Sequence, residues 1–97
     1  MPTYIAMLKW TQQGIKDVKQ SASRLDAARK SFCAAGVNLK EFYMVMGQHD
    51  AITIIEAADD AALAAALLSV GALGSVTTET CRAFPEEEFR QIIALLS

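Results

Sequence analysis

Residues 39–57 read LKEFYMVMGQHDAITIIEA, and this stretch decides the fold. The runs Phe42-Tyr43-Met44-Val45-Met46 and Ala51-Ile52-Thr53-Ile54-Ile55 are aromatic and β-branched, the side chains that pack best on a pleated surface. Gly47 and Asp50 interrupt them where a chain must reverse, so the spacing predicts a β-hairpin. His49, the single histidine, stands at its tip. Alternation puts Lys40, Phe42, Met44 and Met46 on one face of the first strand and Leu39, Glu41, Tyr43 and Val45 on the other. Both faces carry apolar bulk, so parity does not say which one meets the core.

Toward the N-terminus, Gly36 supplies a left-handed stop for a helix whose apolar positions Leu25, Ala28, Phe32 and Ala35 recur at three- and four-residue steps. Ser21 is its expected N-cap, and Arg24, Arg29 and Lys30 are its expected outer side. Ile15 and Val18 suggest a short helical turn before it. Tyr4 to Trp10 is apolar at both parities until Lys9, which predicts a central strand.

Toward the C-terminus, Asp59 or Asp60 caps a helix from Ala61 to about Ser69 with small side chains almost all round. The uncharged run Ala61 to Val76 is shorter than the ~20 residues that cross a bilayer and contains Gly71 and Gly74, so it reads as a buried helix. Val76 to Ala83 is a threonine-rich strand with Glu79 and Arg82, suited to a sheet edge. Pro85 fits the first position of a last helix, and Glu86, Glu87 and Glu88 favour the positive end of its dipole. Phe89, Ile92, Ile93 and Leu96 form its apolar stripe.

The order is strand, helix, strand, strand, helix, strand, with a terminal helix added. It predicts an α+β domain spanning residues 1–97, ferredoxin-like βαββαβ, with a four-stranded antiparallel sheet in the order 4-1-3-2 and helices on one face. The opposite face, lined by residues such as Tyr43, Val45, Thr53 and Ile55 or their opposite-parity neighbours, would be an apolar patch that a lone monomer rarely leaves wet. A homodimer packing sheet on sheet through an isologous contact is the expected answer.

The chain has 97 residues, 53% apolar and 21% charged, with a net charge of -2. That is one domain, rich in apolar residues, and without a run of Lys or Arg beyond Arg29-Lys30 to offer a duplex or an anionic membrane. Neither nucleic acid nor a membrane is an expected partner. The start Met1-Pro2-Thr3-Tyr4-Ile5 has no secretory pattern, which predicts a cytoplasmic protein, and Cys33 and Cys81 read as small buried hydrophobes, with a bridge between them the unsupported alternative.

Several stretches together resemble the GYD domain: Tyr4-Ile5, Trp10 to Lys16, Ser21, Arg24 to Ala28, Gly47 to Asp50, Glu56-Ala57 with Asp59-Asp60, and Arg82-Ala83-Phe84 with Glu86 to Phe89. The matches fall in order over nearly the whole chain. The resemblance implies a dimeric α/β-barrel of no assigned activity, and places the family's glycine and aspartate at Gly47 and Asp50. His49 stands where the family tyrosine is expected, which replaces a phenol by an imidazole.

Candidate chemistry is sparse. His49 beside Asp50 suits a general acid-base role, set against a solvated turn histidine whose neighbour caps the turn; adjacent strand residues point to opposite faces, which hinders direct pairing. One histidine and two distant cysteines have no metal-site spacing, so no metal and no cofactor is expected; the open alternatives are a ligand set shared across a dimer and a haem with His49 as axial donor. Tyr43, Glu41, Thr53 and Trp10 suit the wall of a small-molecule pocket, or for the aromatics a dimer interface. Gly71-Ala72-Leu73-Gly74 follows a helix instead of leading into one, and is no phosphate loop. The expected function is a homo-oligomeric small-molecule-binding or regulatory module with a cavity between sheet and helices. The alternatives are a small enzyme of the monooxygenase or isomerase kind using His49, and a structural subunit without ligand.

Overall fold

The computed structural model describes residues 1–97, in the order β1 (Thr3–Trp10), α1 (Gln12–Lys16), a 3-10 turn (Val18–Gln20), α2 (Ser21–Ala34), β2 (Val37–Met44), β3 (Ala51–Ala57), α3 (Asp60–Gly71), β4 (Val76–Ala83) and α4 (Glu86–Ala94). The strands form one antiparallel sheet ordered β2-β3-β1-β4, the ferredoxin-like arrangement predicted above. β1 is central and β4 is an edge, as their side chains suggest.

Register decides which face is covered. Tyr4, Ala6, Val37, Leu39, Ile55 and Ala57 join Phe32 of α2 and Leu63 and Ala66 of α3 in the core. The opposite parity holds Ile5 across from Ile54, and Met7 and Tyr43 across from Ile52, all turned away from α2 and α3. Thr53 and Ile55 therefore face the helices, while Ile52 and Ile54 face outward with Tyr43. A bulge between Leu39 and Glu41 explains why simple alternation misassigned β2. It makes Lys40 the extra residue, so that Leu39 and Phe42 lie on the same face. Arg29 Nη1 donates to the Leu39 carbonyl at 2.8 Å and holds α2 against this irregular point.

Several local expectations meet their residues. Gly36 takes φ 78 at the end of α2, a conformation open to glycine at little cost. Asp59 is the N-cap of α3, its Oδ1 accepting from the Ala62 amide at 2.8 Å.

Others are corrected. Ser21 does not cap α2, because the 3-10 turn runs into the helix and Ser21 already has helical angles (φ -60, ψ -38); Gln20 holds the cap position without a side-chain bond. Arg24 is not turned wholly to solvent, since its Nη1 is buried. Pro85 is the N-cap residue of α4 and precedes its first turn. α3 buries only Leu63 and Ala66, and is a covering helix with an exposed back. Cys33 and Cys81 are exposed and unpaired. The first lies one position past the inward Phe32, and the second sits opposite Ile5 on the outward sheet face.

α4 buries none of its residues, and Phe89, Ile92, Ile93 and Leu96 are exposed. Arg82 ties its first turn to β4 through Glu88 at 3.2 Å.

Candidate functional site

The helices do not close down on the sheet everywhere. A cavity of about 510 Å³ lies between them, floored by β1, β2 and β3 and walled by α2, α3 and the segment before β4. Its lining is mostly apolar, with Leu25, Phe32, Phe42, Ile55, Leu67 and Val70 among its members. Volume and lining fall in the range of small-molecule sites.

Polar side chains also line this cavity, Gln13, Ser31, Ser69 and Thr78 among them. Thr53 lines it, yet its hydroxyl donates to the Ala6 carbonyl at 3.0 Å and ties β3 to β1. Asp50 lines it too. Its Oδ2 accepts from the Trp10 amide at 2.9 Å, its own amide donates to the Leu8 carbonyl at 2.8 Å, and its carbonyl accepts from the Val45 amide at 2.9 Å. The aspartate thus pins the hairpin tip to β1. Ser21 and Arg24 differ, because Ser21 Oγ and Arg24 Nη1 are buried without any hydrogen-bond partner.

The residues singled out from sequence separate into two groups. Trp10, Thr53 and Asp50 line the cavity. Glu41 and Tyr43 pair with Ile54 and Ile52 and lie on the outward face. His49 is outside the cavity as well, with Nε2 3.3 Å from Glu79 Oε1, and Glu79 sits opposite Met7 on the outward face. Adjacent in sequence, His49 and Asp50 are turned to different surroundings and make no acid-base pair. Gly47 lies in the exposed hairpin tip with open space around it. No group of three or more His, Cys, Asp or Glu side chains gathers as a metal site.

A second cluster escaped the sequence reading. The Tyr4 hydroxyl donates to Asp60 Oδ1 in the first turn of α3. That hydrogen bond to a carboxylate, then burial, then the Asp60 charge raise the Tyr4 phenol above its ordinary value of 10.0, against an opposing effect of Arg82. The Arg82 guanidinium lies 5.7 Å from the Tyr4 ring centroid and 4.4 Å from that of Phe84, besides meeting Glu88. The ends of β1, β4, α3 and α4 are joined there. The only signal in the sequence was that these residues fall among those carrying the family resemblance.

A model of the GYD domain matches residues 4–93. A Thermus thermophilus protein named glutamine synthetase and cystathionine beta-lyase binding protein is 31% identical over 86 residues, which cover 88% of this chain and 90% of that one. Among solved structures, a protein of Thermus thermophilus superposes with a TM-score of 0.57 at 21% identity, over 88% of this chain and 95% of its own. The leucine response regulatory protein of Mycobacterium tuberculosis gives a TM-score of 0.63 at 14% identity, over 87% of this chain and 51% of its own. At these identities the two structures speak for the fold alone.

Proposed function

The chain belongs to the GYD domain family, and from that premise we propose that it is a homo-oligomeric regulatory module that takes a small molecule between its sheet and helices. The observation that carries this reading is the 510 Å³ cavity, apolar in the main and supplied with buried polar atoms that have no partner inside the protein. Each buried polar group left unpaired costs about 1–3 kcal/mol, so a ligand that supplies acceptors to these atoms gains from them.

Self-association is supported by the other sheet face. Ile5, Met7, Ile52, Ile54 and Tyr43 lie there away from α2 and α3, and a second copy presenting the same residues would cover them. The relative named for binding glutamine synthetase and cystathionine beta-lyase supports a further role in contacting other proteins, with the exposed apolar stripe of α4 and the back of α3 as surface for it. Two unpaired, exposed thiols suit a reducing, cytoplasmic setting. The enzymatic alternative draws no support from His49, whose contact is with Glu79 outside the cavity.

The test is thermal unfolding of the full chain against a panel of apolar small molecules. The midpoint should rise with ligand concentration, and Ala28→Trp, which fills the cavity from α2, should abolish the rise. A panel without any stabilising member contradicts the proposal.

A further inference from the structure

We propose that the ligand of this cavity is an apolar molecule carrying a single carboxylate, held by Arg24 and Ser21. The inference rests on the cavity reading above and adds the chemical class of what enters. Ser21 and Arg24 are three positions apart on α2, so they share a face of the helix, and both line the cavity. Ser21 Oγ and Arg24 Nη1 are buried and unpaired. A guanidinium stays charged at any physiological pH and can only donate, and a serine hydroxyl can donate beside it. Two convergent donors call for an acceptor-rich group.

The charges around the site decide its sign and number. Arg24 and Asp50 are the charged residues of the lining, and Asp50 Oδ2 already accepts from the Trp10 amide. Asp17 approaches the other guanidinium nitrogen, Nη2, at 3.6 Å from a half-exposed position, beyond hydrogen-bond distance. Nη1 is thereby left for the ligand. With one cation in the wall and no metal cluster beside it, the site suits a monoanion better than a phosphate ester. A carboxylate supplies acceptor oxygens for both Arg24 Nη1 and Ser21 Oγ. Beyond the headgroup the lining is mostly apolar, with Leu25, Phe32, Phe42, Leu67 and Val70 in it, which asks for an alkyl or aryl body.

Decanoate and decan-1-ol, which differ in the headgroup alone, are the probes, titrated by calorimetry into the full chain and its variants. The wild-type protein should bind decanoate at least about tenfold more tightly than decan-1-ol, as a charge-assisted bond to the buried Nη1 of Arg24 requires. Arg24→Gln should remove that margin by weakening decanoate, Arg24→Lys should keep part of it, and Ala28→Trp should abolish the uptake of both. Equal affinity of the wild type for the two probes, or a margin that survives Arg24→Gln, overturns the carboxylate assignment and leaves the cavity reading standing. Failure of the wild type to take up either probe overturns both.

Discussion

Tyr4 and Asp60 lie 56 positions apart, and the phenol of one donates to the carboxylate of the other, joining the start of the central strand to the first turn of α3. The bond makes the Tyr4 proton harder to remove than in the unfolded chain. A raised folded-state pKa contributes stability that is fully present below the unfolded value of 10.0 and is lost as pH rises through the folded value. The wild type should therefore lose stability in the alkaline range above pH 10. Tyr4→Phe should be less stable than the wild type at neutral pH and show a flatter alkaline limb in thermal unfolding. An identical alkaline limb in both proteins would contradict the role given to this bond.

Gly14 admits no side chain. A Cβ there would lie 1.9 Å from the Ser75 carbonyl oxygen, a backbone atom that cannot swing aside. The same segment is held by the Thr11 amide donating to Ser75 at 3.0 Å and by Thr11 Oγ1 accepting from the Gly14 amide at 3.0 Å. Gly14→Ala should cost about 2–3 kcal/mol through overpacking, read as a fall in the unfolding midpoint. A midpoint within a degree of the wild type would show that α1 moves freely relative to the segment before β4.

Much of this architecture was legible before the structure. Asp59 as a cap, Gly36 as a stop and the strand order all followed from residue types at short range. The covered face was not, because β1 and β3 carry apolar residues at both parities and the bulge at Lys40 shifts β2 by one residue in mid-strand. The cavity was expected between sheet and helices, with Thr53 and Trp10 in its wall, but Ser21 and Arg24 were not expected there. Ser21 had the residue type of a cap and Arg24 that of an outer face. Only the 3-10 turn leading into α2, which sets the helix start and its rotation, turned them inward. Contacts such as Tyr4 with Asp60 are long-range, and no periodicity encodes them.

The outward sheet face predicts a mutational separation of assembly from folding. Ile54→Glu places a carboxylate beside Ile5 and Glu41, at a position that a second copy would have to bury. Burying an unpaired charge costs about 3–5 kcal/mol, so the variant should sediment as a monomer at concentrations where the wild type is oligomeric, with its circular dichroism retained. A wild type that is monomeric at micromolar concentration would remove the homo-oligomer from the account.

His49 and Glu79, at 3.3 Å with the glutamate well exposed, make a surface contact. Such pairs contribute about 0–1 kcal/mol. His49→Ala should therefore shift stability by less than about 1 kcal/mol and leave small-molecule uptake unchanged, measured by titration calorimetry with decanoate. Loss of uptake would return the site to the hairpin tip.

The two faces of the sheet carry separate sets of methyl groups, and methyl-resolved NMR during a decanoate titration reads them independently. The methyls of Leu25, Ile55 and Val70, which line the cavity, should shift with ligand and saturate, while those of Ile5, Ile52 and Ile54 on the outward face stay in place. Shifts confined to the outward set, or no shifts at all, would contradict a ligand seated between the sheet and its helices.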